Sequence, residues 1–155
     1  MIIDLLALVQ SWVSDQTGET TIFAEQDGPR PVLPYNTVRV QDQTVPGLAN
    51  IRLSDSDQDR HTLETMTTIE ITAYGASAIQ TIINLKLSLE LQSVRDFFRG
   101  GNYPIANVES IVNLSRVVDV AFEPRSILTI NFHGTQELTD DLGKIETVVL
   151  NGTEV

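Results

Sequence analysis

The stretch Thr68-Ile69-Glu70-Ile71-Thr72-Ala73-Tyr74-Gly75-Ala76-Ser77-Ala78-Ile79 alternates apolar and polar side chains, stops at a glycine, and resumes as a helix-forming run. Branched and aromatic side chains on alternate positions suit a pleated, half-buried surface. Gly75, with no Cβ, permits a sharp exit into the next element. Upstream the Thr-rich character continues, so the strand is expected over residues 62–74. Downstream, Ala78, Ile79, Ile82, Leu85 and Leu89 fall on one face at the helical period. Leu85, Leu87, Leu89 and Leu91 also alternate with polar residues, as a strand would. The upstream spacing and the lack of β-branched residues after Ile83 favour helix. A second short helix is expected over Ser93 to Arg99, with Val94, Phe97 and Phe98 inward, ending at Gly100-Gly101.

Working outward, Ile2, Leu5, Leu6, Val9, Trp12 and Val13 form one stripe of an amphipathic helix of about 15 residues ending before Gly18. Its Asp4 and its lack of Lys or Arg argue against an export signal, and no run reaches the roughly 18 apolar residues of a membrane span. Thr20 to Ala24 reads as a short strand. Gly28-Pro29-Arg30-Pro31-Val32-Leu33-Pro34 follows, and its three prolines exclude helix and central strand. It is expected to be an extended loop of fixed shape. Tyr35 to Gln41 and Ala49 to Leu53 read as strands around a Pro46-Gly47 turn, and Ser54 to His61 as a polar loop tip.

Three more strands are expected: Ile105 to Val112, Val120 to Asn131 interrupted near Pro124, and Lys144 to Leu150. Residues 134–143 read as an acidic, hairpin-like link. The order of helix, strands, helices, strands is α+β: an antiparallel or mixed sheet carrying an N-terminal helix and a central helix pair on one face. No linker separates the pieces, so residues 1–155 form a single domain.

The composition narrows the functional classes. The chain has 155 residues, enough for one domain with a substantial core, and no cysteine, which removes disulfides, thiolate catalysis and Cys-based zinc sites. Twenty-one Asp and Glu against ten Lys and Arg leave −11 with no basic cluster, whereas a protein that grips phosphates needs a positive stripe. The plain reading of that balance is a soluble acidic surface; the sharper one is a surface that repels DNA, as the wall of a channel would need to do.

Candidate chemistry is thin. Asp55, Asp57 and Asp59 stand at the first, third and fifth positions of a calcium loop, but Arg60 replaces the turn glycine and Met66 the bidentate glutamate. No metal is therefore expected. His61 and His133 are far apart in sequence, and no Gly-x-Ser-x-Gly elbow or phosphate-binding glycine loop accompanies them. The sequence points to no enzyme and no cofactor. The residues singled out instead are structural or interfacial. Arg125, among Phe122, Pro124, Ile127 and Leu128, is either an exposed edge residue or one half of an ion pair within the fold or across an interface. Trp12 and Tyr35 are core aromatics or interface anchors, Gly75 is the strand exit, and Pro34 closes the proline-rich loop.

Several short motifs, in this order and spacing, resemble the tailed-phage neck terminator family, related in fold to tail-terminator and tail-completion proteins. They are Arg30-Pro31-x-Leu33-Pro34-Tyr35-x-Thr37-Val38, Ile69-x-Ile71-Thr72-Ala73-Tyr74-Gly75, Phe97-Phe98-Arg99-Gly100, Asn113-Leu114-Ser115, Phe122-Glu123-x-Arg125 and Gly143-Lys144-Ile145-Glu146. The resemblance spans nearly the whole chain. It implies a virion protein of the neck, assembled in the host cytoplasm, that forms a ring, usually of six subunits, at the head-proximal end of the tail. The implied partners are further copies of itself, the tail tube protein and the head–tail connector, with DNA passing through the lumen unbound and no membrane. The alternatives are another head–tail joining or minor tail protein and, from a different class, a small hydrolase or ligand-binding domain.

Overall fold

The computed structural model describes residues 2–47, 50–53, 58–118 and 121–141. Helix α1 (Ile2–Thr17) leads into strands β1 (Thr20–Phe23), β2 (Tyr35–Thr44), β3 (Asn50–Leu53) and β4 (Gln58–Tyr74). Helices α2 (Ala78–Ser88) and α3 (Gln92–Gly100) follow. The chain then returns through β5 (Ile105–Val108), β6 (Val112–Asn113), β7 (Arg116–Val118), β8 (Ala121–Glu123) and β9 (Arg125–Asp141).

The main sheet runs β1-β2-β4-β9-β5, with β3 extending the β2 side of β4 and β6 lying beside β9. Among the described residues only β1 and β2 pair in parallel; the remaining pairs of this sheet are antiparallel, so it is mixed and is not a closed barrel. Parallel neighbours need a connection that carries the chain back to its starting end. Residues 24–34, with the proline-rich loop, are that crossover, which explains why the loop must be extended.

One face of the sheet makes the core. Val38, Ile71 and Leu128 stand side by side in register, followed by Val40, Ile69 and Ile130. Leu5, Val9, Trp12 and Val13 of α1, Ile82 and Leu85 of α2, Leu89, and Val94 and Phe98 of α3 pack onto this face. Phe98 is its hub, with its ring centroid 5.5 Å from Trp12, 5.3 Å from Phe97 and 5.0 Å from Phe132. Of the expected α1 stripe, Leu5, Val9, Trp12 and Val13 lie in the core and Leu6 packs against it. Gly18, in the left-handed region, ends α1 and donates its N–H to the Ser14 carbonyl at 2.9 Å.

Four expectations need correction. Residues 58–61 belong to β4, not to a loop tip, and residues 134–141 continue β9 instead of forming a link. The two strands stay paired from Tyr74↔Arg125 to Gln58↔Asp141, so the sheet extends past its helix-covered part as an arm of roughly 24 Å. Solvent wets both faces of such an arm, which leaves no apolar alternation to read. Ile79 and Phe97, expected inward, are instead about half exposed. For α2 the helical reading prevails, with Leu87 outside and Leu85 and Leu89 inside. The strand expected over 144–150, residues 54–57 of the acidic loop and Ala49 lie outside the described residues.

Candidate functional site

The face of the sheet opposite the helices carries a cluster assembled from three separated stretches. It begins at Gly75. There φ is +125°, a conformation side-chain-bearing residues rarely adopt, and an added Cβ would lie 3.1 Å from the Pro34 Cβ. The Gly75 N–H also donates to the Pro124 carbonyl at 3.1 Å. One glycine thus pins the proline-rich loop on one side and the start of β9 on the other.

Beside it, the register sets Tyr35 opposite Tyr74, and Tyr74 opposite Arg125. The two tyrosine rings stack at 4.7 Å with 13° between their planes. Arg30 leaves the loop and covers both, its guanidinium carbon 5.8 Å and 5.6 Å from the two ring centroids. Its Nε and Nη2 donate to the Tyr35 hydroxyl at 2.9 and 2.6 Å, and Nη2 donates to Glu123 Oε1 at 2.6 Å. Hydrogen bonds to Glu123 first, then to Tyr35, push the Arg30 guanidinium's pKa above its ordinary value against the opposing effect of burial, so it stays charged. Arg30 is half exposed, and water screens such a pair to about 1 kcal/mol or less. The clasp works mainly by fixing the geometry of the loop.

Arg125 is half-buried and donates from Nε to the Leu114 carbonyl at 2.9 Å, while the Leu114 N–H returns a bond to the Arg125 carbonyl at 3.0 Å. Among the described residues it has no carboxylate partner; the ion pair of this neighbourhood belongs to Arg30 and Glu123. Farther along the same face Arg39 makes a two-pronged pair with Glu70 at 2.8 and 3.1 Å. A cleft of about 500 Å³ lies between the loop and this row, lined by Arg30, Tyr35, Tyr74 and Arg125.

The other singled-out residues fall into place around this. Pro34, cis-linked to Leu33, is the wedge against Gly75. Tyr35 is almost fully covered, so it acts beneath Arg30 and not as a free anchor. Trp12 is on the other side of the sheet, in the core against Phe98. Sequence reasoning missed Arg30 and Glu123 as a pair. The signal lay in an arginine between two prolines five residues before a tyrosine, but nothing local announced a partner so distant in the chain.

His61 stands opposite Leu138 and His133 opposite Met66, and strand alternation turns the two imidazoles to opposite faces of the sheet. They cannot serve one site. Among the described residues there is no group of three or more His, Asp or Glu placed to hold a metal ion, and no helix long and apolar enough to cross a membrane. What the cluster can do is hold a shaped loop, whose Val32 is 89% exposed and Leu33 50%, at a fixed place on the surface.

Breaking the clasp gives a modest, specific expectation. Arg30→Ala and Glu123→Gln should each cost about 1 kcal/mol, with a coupling of about 0.5–1 kcal/mol in a double-mutant cycle. Cleavage within residues 28–34 by a nonspecific protease should quicken in both. Denaturant titration with limited proteolysis checks this; fully additive losses would mean that the pair is incidental.

The model of one protein family, described as "Phage neck terminator protein", matches residues 4–155. No curated protein gives a significant match.

Proposed function

The chain belongs to the phage neck terminator family, with a structural role at the junction of phage head and tail among other head and tail components, and from that premise we propose that it closes the tail tube as a ring. Copies of the chain, about six by the family resemblance, would associate head-to-tail, and rotation through a fixed angle would close the set and stop open-ended growth. One rim would match the last tube ring and the other would present a surface to the connector. No catalytic step is part of this reading.

The observation that carries the proposal is the extent of the family match, which takes in every described element from the first helix to the end of β9. Two properties of the chain support it. Its net charge of −11 suits a wall past which DNA slides without adhering. Its clasped loop and its arm are shaped elements held clear of the core, suited to reaching neighbours.

The test is genetic and visual. A phage with this gene disrupted should yield filled heads and unjoined tails, including tails of irregular length, and supplying the protein should restore joined particles of uniform length. Joined particles of normal length without the protein would overturn the proposal. A minor tail protein would instead leave heads and tails joined and lose only infectivity.

Arg125 offers a second check. Arg125→Ala removes a bond that ties Leu114, just past β6, to the start of β9, and a loss of about 1 kcal/mol is expected. Restoration of joined particles should fall as well. Unchanged melting together with full restoration would show that this arginine is a bystander.

A further inference from the structure

Lysine and arginine are scarce in this chain and scattered along it, yet the fold gathers three of its ten in one place. Lys86 of α2 and Arg95 and Arg99 of α3 line a cleft of about 450 Å³ whose other wall is residues 104–108, including β5. Among the described residues Glu90 is the only carboxylate in that lining. Lys86 Nζ donates to the Glu109 carbonyl at 3.0 Å. Arg95 donates from Nε to the Leu89 carbonyl at 3.0 Å and from Nη2 to Glu90 Oε2 at 2.8 Å, and Arg99 Nη1 donates to Asp96 at 3.1 Å. Each arginine carries five N–H donors and the lysine three, so these bonds use the smaller part of them. The side chains of Arg95 and Arg99 are 47% and 65% exposed, where such pairs hold weakly. The cleft is therefore a positive patch on an acidic chain.

The opposite charge collects at the other end of the sheet. Strands β5 and β1 are its two ends, four strand spacings or about 19 Å apart. Residues 1–29 contain no Lys or Arg but carry Asp4, Asp15, Glu19, Glu25 and Asp27. The last two stand on an exposed turn that leaves β1 and is closed by the Gln26 N–H on the Phe23 carbonyl at 3.3 Å. Neither is in an ion pair among the described residues. Arg39, the cation on which Glu25 acts, is already bound to both carboxylate oxygens of Glu70.

We infer that the acidic turn of one copy, Glu25 and Asp27, seats in the Lys86–Arg95–Arg99 cleft of the next. This rests on the ring reading above and names its interface. The two surfaces are different, opposite in charge and at opposite ends of one sheet, so the contact is head-to-tail and repeats until it closes. Complementary charge selects the partner and sets its orientation. The clasp gains a purpose here, because Arg30, three residues beyond Asp27, fixes the loop that presents both carboxylates.

Charge exchange in the full-length chain tests the contact, read by restoration of joined particles in the disrupted phage. Glu25→Lys/Asp27→Lys and Arg95→Glu/Arg99→Glu should each lower restoration by about tenfold or more, since like charges then meet at every junction. All four substitutions in one chain should bring it back. The two variants supplied together should also restore it, because an alternating ring of even number has an attractive pair at every junction.

Full restoration by either variant alone would overturn the contact and leave the ring in place, as would four substitutions that melt with the parent yet restore nothing. Should Arg95→Glu/Arg99→Glu melt below the parent, Asp27→Cys/Arg99→Cys decides instead. The chain has no cysteine of its own, and a short bis-maleimide should link that variant into a ladder in purified particles, while neither single variant links. A missing ladder in particles that contain the variant would overturn the contact. Joined particles of normal length without any of this protein would overturn the contact and the ring together.

Discussion

Replacing Gly75 with valine is expected to lower the melting temperature by about 10 °C and to abolish restoration of joined particles. The reasoning starts from the backbone. At φ +125° a branched side chain is strained by roughly 1–3 kcal/mol. Its Cβ would also meet Pro34 Cβ at 3.1 Å, with the Pro34 backbone behind it, so no flexible side-chain tip can swing aside. Relief would require either moving the proline-rich loop or breaking the bond from the Gly75 N–H to the Pro124 carbonyl. A combined loss of about 3 kcal/mol corresponds to about 6–12 °C for a domain of this size. Calorimetry checks the stability and complementation checks the function. A variant that melts with the parent would mean that the turn does not hold the three stretches together.

The other large effect is expected at Phe98. This ring is fully buried and touches Trp12, Phe97 and Phe132, so it joins α1, α3 and β9 in one cluster. Phe98→Ala should cost about 3–5 kcal/mol through lost burial and the cavity left behind. Phe98→Leu should recover much of that, because it keeps most of the volume. Phe97→Ala, at a neighbouring but half-exposed ring, should cost far less. Urea unfolding of the three variants settles the order. Equal losses at 97 and 98 would contradict the packing described for α3.

How much of this was legible beforehand follows from where each side chain spends its burial. The α1 stripe, the strand before Gly75 and the α+β class were readable, because one side of each element is buried and periodicity records that. The α2 row misled for a related reason. Ile79 continues an apolar pattern that the fold uses only in part, and sequence does not separate residues kept apolar for the core from those left outside it. The arm was illegible because Thr135, Gln136 and Glu137 are exposed and record only pairing with β4. The proline-rich loop could be read as extended, but its role as the parallel crossover depends on the register of β1 against β2. At the site, Gly75, Pro34, Tyr35 and Arg125 were singled out separately. That they meet in one place, joined by Arg30 and Glu123, is a property of the sheet.

These observations connect the local chemistry to the assembly. A glycine that only glycine can replace fixes a loop and a strand. An arginine over two stacked tyrosines locks them. The apolar core lies on the other face of the sheet, so the clasp adds to the stability of the fold without forming part of that core.

The most direct test of the central claim is electron microscopy of purified particles, with the chain located by a small tag or by the density itself. The account predicts a closed ring of identical copies between the end of the tail tube and the head connector. Absence of the chain from intact particles, or its distribution along the length of the tail, would contradict it.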